Sequence, residues 1–425
     1  MNPPWLLKQA ANILLLVICL VSNPLSAQDS TSYKQLNQRI DSLESALKDT
    51  RSRMVTHSDF EGIFRSINED DQEFTSDDRR SKRRALDSLF KAAVTKPGQL
   101  TFTGQFMNVF HWDGKTKSSI NTSVATVDLF AISSFGQNSL VFINLQGVGG
   151  DGPGARFPTY SGFHAGAGSL QSEDGIDRIT ILEAWVEYTI GKASVTAGKI
   201  DLTNYFDPNS VANDEYSQFI SNIFVNNASL AVPGNGPGIT INTDIFSGFT
   251  LQLGIASKDN SGDGIFEDLF YIAQMSESFK VNDQEIGAVR GFAYLNSTAS
   301  NDWGYGFTTD LRVIPKLYLF GRYGANRSAL AGDYGIESCW SSGLQFRNFN
   351  LVSNWNLSLG FAYAETTGAV SAENSRFPEQ MIESYVRLNI KKVFFLSPHY
   401  QQVWNALNIK DNNLSIFGLR TRVAF

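Results

Sequence analysis

Cysteine is nearly missing: Cys19 and Cys339 are the only two among 425 residues. Cys19 sits in an apolar N-terminal run, so a chain that loses that run keeps one thiol and closes no internal disulfide. A lone thiol also needs a neighbouring base before it acts as a nucleophile, and none lies near Cys339 in sequence. Positive charge is in deficit as well. Lys and Arg number 35 against 42 Asp and Glu, for a net charge of -7. With a pI near 5.3, that balance offers no basic footprint for nucleic acid. Beyond the N-terminal run, no apolar stretch approaches the about 20 residues that a membrane-crossing helix needs. Histidine is scarce too: His57, His111, His164 and His399 stand in no catalytic motif, which speaks against an enzyme.

What is present begins with a leader. Lys8 is the only charged side chain before Asp29, the run Ile13–Val21 is apolar, and Leu25-Ser26-Ala27 ends it with small residues. That order predicts a cleaved secretory signal over residues 1–27. Its removal takes Lys8 away and moves the net charge from -7 to -8. Bulky Ile18 directly before Cys19 argues against a lipoprotein signal.

Residues 28–97 read as a polar, helical periplasmic segment. Leu36, Ile40, Leu43 and Leu47 follow 4-3-4 spacing, Met54 falls one heptad beyond Leu47, and polar Thr50 interrupts the repeat. Such spacing fits a short coiled coil that assembles a homotrimer, and equally an amphipathic helix lying on its own domain. A second helix is predicted over Arg84–Val94, with Leu86, Leu89, Phe90 and Val94 on one face. The basic run Arg79–Arg84, preceded by Asp77-Asp78, reads as a solvated linker or a periplasmic or cell-wall contact.

From Pro97-Gly98 onward the texture changes to period-two alternation broken by Gly, Asn, Asp and Pro clusters. The chain holds 31 Phe, 14 Tyr, 7 Trp and 35 Gly, yet its mean hydropathy is only -0.17. Transmembrane strands produce that combination, because only every second residue meets lipid. Strands are predicted at 100–106, 140–146, 179–190, 239–245, 249–256, 303–313, 317–325 and 355–363. In the last strand Phe417, Leu419, Thr421, Val423 and Phe425 share one face, and Gly418, Arg420, Arg422 and Ala424 the other. At about 20 residues per strand and connection, residues 98–425 accommodate roughly 16 strands. The expected fold is all-β: a transmembrane antiparallel barrel of about 16 strands behind an N-terminal helical or coiled-coil extension. Barrels of that size leave an aqueous channel.

Where one strand face is apolar, the other should line the interior. This places Glu183, Trp185, Glu187, Arg312, Tyr318, Arg322, Tyr385 and Arg387 inward. Arg and Glu suit sugar hydroxyls, and Trp or Tyr suits the apolar face of a sugar ring. The plainer alternative is that these charges satisfy one another across a wet wall.

The stretch Gly198-Lys199-Ile200-Asp201-Leu202-Thr203-Asn204-Tyr205-Phe206-Asp207 resembles the signature of the carbohydrate-selective, OprB-type porins. It continues in that style with Asn209, Ala212-Asn213-Asp214, Gln218-Phe219 and Asn226-Asn227. A second similarity runs from Glu383-Ser384-Tyr385 to Leu396-Ser397-Pro398-His399-Tyr400-Gln401-Gln402-Val403. The resemblance implies a sixteen-stranded channel for passive diffusion of mono- and oligosaccharides across the outer membrane, in contact with its lipid and without a cofactor. It adds Lys199 and Asp201 to the candidate pore or sugar residues, with barrel packing or loop docking as their other reading. A non-selective porin and an outer-membrane anchor whose N-terminal helices tether cell wall or partner proteins remain as alternatives. Asp259–Gly264 begins like a calcium loop but has Phe270 where a bidentate Glu is required, and Gly147–Gly152 lacks the Lys-Ser/Thr of a phosphate cradle. Both read as loops, and no metal is expected.

Overall fold

A computed structural model describes Phe90, Ala93, Val94 and residues 96–425, apart from 114–120, 168–177, 259–261, 283, 297–301, 353–354, 370–376 and 391–392. The expected leader and coiled coil lie outside the described residues. The chain forms β1 (Thr101–Trp112), β2 (Asn121–Ser133), β3 (Ser139–Gly149), β4 (Arg178–Ile190), β5 (Ala193–Ile200) and β6 (Gly236–Phe246). There follow β7 (Phe249–Ser257), β8 (Leu269–Val281), β9 (Gln284–Asn296), β10 (Asp302–Ile314) and β11 (Leu317–Asn326). The ring is completed by β12 (Ile336–Val352), β13 (Trp355–Gly368), β14 (Glu379–Ile390), β15 (Phe394–Trp404) and β16 (Leu414–Ala424). Two short helices, α1 (Asn222–Val225) and α2 (Ser328–Tyr334), lie in connections.

Each strand pairs antiparallel with its sequence neighbours, and β1 pairs β16 from Gln105↔Ala424 to Trp112↔Phe417, so the sheet closes without an edge. Even strand number and nearest-neighbour connection are the pattern of outer-membrane-type barrels. One rim carries tight turns, such as 191–192, 247–248 and 315–316, and Gly248 supplies the positive φ (86°) that a two-residue hairpin favours. The other rim carries long connections, above all 150–177 and 201–235.

The two faces invert the soluble-protein rule. On β6 and β7, Ile239, Ile241, Leu253 and Ile255 are exposed, while Thr240, Asn242 and Gln252 between them are buried. Phe102, Phe106 and Phe110 project outward from β1 in the same way. A continuous apolar exterior of this extent has no aqueous explanation. Aromatic pairs gather toward the rims: Trp340–Tyr363 at 5.2 Å and Tyr400–Phe417 at 5.0 Å on the long-loop side, Phe246–Phe249 at 4.8 Å on the short-turn side. Amphipathic rings at two levels suit the two interfaces of a bilayer. No helix among the described residues is long and apolar enough to cross a membrane, which has no bearing on strands.

All nine strands expected from alternation are present, and β1, β13 and β16 extend beyond or differ slightly from the expected limits. One expectation needs correction. The inward residues were read as facing water, but the long connection 201–235 folds into the barrel and covers many of them. Between Leu202 and Ala231 nearly every residue is buried. The packed unit also reaches back past Pro97. Phe90 and Ala93 are helical and buried, with Phe90 against Phe142 (5.7 Å) and Trp185 (6.2 Å), and Ser134 Oγ donates to the Ala93 carbonyl at 2.7 Å.

Candidate functional site

The inward segment is shaped first by its own side chains. The Asp201 carboxylate accepts from Thr203 N (2.9 Å) and Thr203 Oγ1 (2.6 Å), opening the 3-10 turn Leu202–Asn204 that leads the chain off β5. Asn209 Oδ1 accepts from the amides of Val211 and Ala212, and Asp214 accepts from Tyr216 N and Ser217 Oγ. Asx turns of this kind satisfy backbone donors where no ladder is available. These residues are the ones that carry the porin-like motif, so the motif encodes the segment that crosses the lumen.

The wall then takes hold of the segment's remaining polar groups. Glu183 on β4 accepts from Asn204 Nδ2 at 2.9 Å and from Asp201 N at 3.3 Å. Gln252 on β7 donates to the Tyr205 carbonyl, and Gln274 on β8 accepts from Asp207 N. On β10 Asp310 accepts from Ser210 N at 2.6 Å and pairs with Arg290 of β9 at 3.3 Å. Arg322 on β11 donates to the Phe224 carbonyl (2.6 Å) and Asn213 Oδ1 (2.9 Å), and its Nε lies 2.9 Å from the Asp207 carboxylate. Glu383 on β14 accepts from the amides of Ile220 (2.7 Å) and Ser221 (2.9 Å). Arg387 donates to the Ser217 carbonyl at 2.9 Å, and Arg420 on β16 to the carbonyls of Glu215 (2.7 Å) and Gln218 (2.8 Å). The segment is thus tied to strands on opposite sides of the barrel, mostly by charged groups on backbone amides and carbonyls, the stronger class of hydrogen bond. Burial pushes Asp207 up to about 6, against the opposing pull of Arg322.

A second connection lies on the first. Glu379 at the start of β14 accepts from Tyr160 N (3.0 Å), Ser161 N (2.7 Å) and Ser161 Oγ (2.6 Å), and also from Leu407 N. Ala165 N donates to the Ile220 carbonyl at 2.9 Å, which joins the two loops.

The ten candidates therefore divide. Glu183, Asp201, Arg322 and Arg387 hold the segment in place. Tyr385 is buried, with its ring on Phe219 at 5.1 Å and its hydroxyl bonded to Gln345. Trp185 is 3% exposed and covered by Phe142 (5.0 Å) and Phe90, so no sugar ring stacks on it in this arrangement. Glu187 accepts from Thr196 Oγ1 within the wall. Lys199 pairs in register with Ala184 and Pro237 on the outward face, away from the lumen. Arg312 and Tyr318 are register partners on β10 and β11, both half-buried, toward the short-turn rim. The guanidinium of Arg347 lies 4.1 Å over the Tyr318 ring. Sequence reading missed Glu379, Asp310, Gln274 and Arg347. Arg420 was visible only as an inner-face residue, and Glu383 only as part of a motif. Cys339 is buried beside Asn227 Oδ1 (3.3 Å), a packing role rather than a reactive one.

A closed sixteen-strand barrel, apolar outside and charged inside, with a long connection folded into the lumen, is the architecture of porin barrels. The fold is similar to that of an OprB porin. The solved high-pH structure of Pseudomonas putida OprB is similar with a TM-score of 0.62 and 13% identity, over 77% of this chain and 94% of that one. The low-pH structure of the same porin is similar with a TM-score of 0.52 and 12% identity, over 77% and 92%. No family model matches the sequence. An uncharacterized protein of Aquifex aeolicus (strain VF5) is 30% identical over 171 residues, 38% of this chain. The chain spans about half, 52%, of that relative's length.

Proposed function

We propose that this chain is an outer-membrane channel through which small hydrophilic solutes, carbohydrates foremost, diffuse passively. The observation that carries the reading is the inward segment 201–235, which narrows a polar lumen while the exterior stays apolar. A wall built only to anchor has no use for such a constriction. Carbohydrate preference rests on the porin-like motif that forms the segment. Arg312 and Tyr318, with Arg347, are the residues proposed to meet the permeant, pairing guanidinium donors with an aromatic face. The remaining candidates position the constriction. Residues 1–27 act as the cleaved signal and 28–97 as a periplasmic helical extension to the barrel of 98–425. That extension supports trimer assembly or cell-wall contact.

Planar-bilayer conductance of the refolded full chain, titrated with glucose and maltooligosaccharides, tests this. Saturable sugar block that weakens in Arg312→Ala and Tyr318→Ala supports the carbohydrate reading. Conductance without block leaves a general porin. No conductance from folded protein overturns the channel and favours an anchor for a tether in 28–97.

A further inference from the structure

Three of the four histidines, which belong to no sequence motif, converge inside the barrel. His111 on β1 and His399 on β15 both face Gly418 of β16 in the strand register. Because Gly418 has no side chain, the two rings lean toward each other across β16, with centroids 5.6 Å apart. His164, from the connection after β3, closes onto His111 at 5.6 Å and nearly perpendicular to it. The rings are 0%, 6% and 5% exposed, and none of their six nitrogens has a hydrogen-bond partner among the described residues. Buried polar groups left this way call for a cause other than stability.

Among the described residues no carboxylate is bonded to these rings. Arg420 of β16 repels a charged His164 imidazole. On β14, Glu383 is occupied by Ile220 N, Ser221 N and Gln401 Nε2, and Tyr385 is in register with His399. Asp113, just past the end of β1 and two residues from His111, is also buried. On the inward segment Asp214 is bonded to Tyr216 and Ser217, beside Glu215. Burial first, then His111 and Arg420, lower the His164 pKa well below its ordinary 6.5.

We propose that His111, His164 and His399 form an acid-operated latch that holds the 159–167 loop over the constriction while His164 is neutral and releases it when His164 is protonated. The loop is held to the wall by Gln401 Nε2 on the Phe163 carbonyl (2.8 Å) and to the inward segment through Ala165 N. Packed, the His164 ring resists protonation. Lifted into water, it titrates near 6.5. As pH falls below about 6.5 the lifted state gains a proton that the packed state does not. This shifts the balance toward release by up to about tenfold per pH unit. Asp207 acts in the opposite sense, because its pKa is raised in the packed state, but it belongs to the other segment. The consequence for transport rests on the channel reading above.

Hydrogen exchange of the 159–167 peptide in folded full-length protein, at pH 7.5 and 5.0 and corrected for intrinsic rates, tests the latch without reference to transport. Acid should raise exchange about thirtyfold in the wild type and leave it nearly unchanged in His164→Gln. His164→Asn serves as a second variant should the first fail to fold. Unchanged protection in the wild type, or an equal acid response in the folded variants, overturns the latch. Parallel conductance separates the two ideas. Release at pH 5.0 without conductance sinks the channel and leaves the latch. Conductance at both pH values with unchanged protection does the reverse.

Discussion

The Glu383 carboxylate receives the backbone N–H of Ser221 at 2.9 Å and, with its other oxygen, that of Ile220 at 2.7 Å. One side chain thus caps the residues that open α1, where backbone donors inside the barrel have no ladder to join. Removing it should free the segment locally. Hydrogen bonds to a charged group contribute about 1.5–3 kcal/mol. Glu383→Ala is therefore expected to raise exchange of these two amides by roughly tenfold to a hundredfold, with Glu383→Gln intermediate. Amide exchange read residue by residue decides it, and unaltered protection would refute the anchoring role.

The Asp207–Arg322 pair makes a different demand. Both groups are fully buried, so the pair adds little net stability, while loss of one partner strands the other. Arg322→Met should weaken docking of the segment by about 3–5 kcal/mol, and the double variant with Asp207→Asn should recover most of that. The pH sign follows from the raised Asp207 pKa. Docking is strongest below about 4, weakens as pH rises toward about 6, and is level above it. Unfolding of the wild type and Asp207→Asn followed from pH 4 to 7 should show this slope in the first and its loss in the second.

Much of the barrel was legible in the sequence because lipid imposes a strict period of two. Ile239, Ile241, Leu253 and Ile255 alternate with polar residues, and the structure turns them outward. The site was far less legible. Alternation assigns Arg322 and Arg387 to the inner face, but it carries no information on what lies there. Their partners, the carbonyls of Phe224 and Ser217, are backbone groups 98 and 170 residues away. Backbone acceptors leave no side-chain signature. Alternation likewise gives no sign of the cover on Trp185, which comes from Phe142 and from Phe90, ahead of the first strand. The motif did mark residues 201–227, and its Asn and Asp spacing was a readable sign of Asx turns rather than of a strand.

Glycine placement inside the wall is constrained by leaning rings. A Cβ on Gly418 would stand 1.9 Å from His399 Nε2, and one on Gly360 would stand 2.2 Å from the Tyr385 ring. A Cβ on Gly321 would meet nothing nearer than 3.6 Å. Overpacking of this kind costs about 1–3 kcal/mol. Gly418→Ala and Gly360→Ala should lower refolding yield and midpoint in urea, and Gly321→Ala should match the wild type. Equal behaviour of all three would mean that the rings move aside freely.

Phe90 offers a test of the short-turn side. It lies edge-on to both Phe142 and Trp185 and is 3% exposed, so it shields the indole from water. Truncating a buried Phe costs about 3–5 kcal/mol when the surroundings cannot collapse. Here the cost is met by undocking, because the bonds of Ser134 to the Ala93 carbonyl and of Gly98 N to the Ser134 carbonyl lie at the edge of the barrel and its fold does not depend on them. Phe90→Ala should therefore leave the barrel folded while Trp185 becomes accessible to a water-soluble quencher. A parallel Trp185→Phe background isolates that signal from the other six tryptophans among the chain's 7. If the channel reading holds, the same variant should conduct more at equal voltage, since an aromatic plug has left the lumen. An indole that stays shielded would show that Phe142 alone provides the cover and that Phe90 is a passenger.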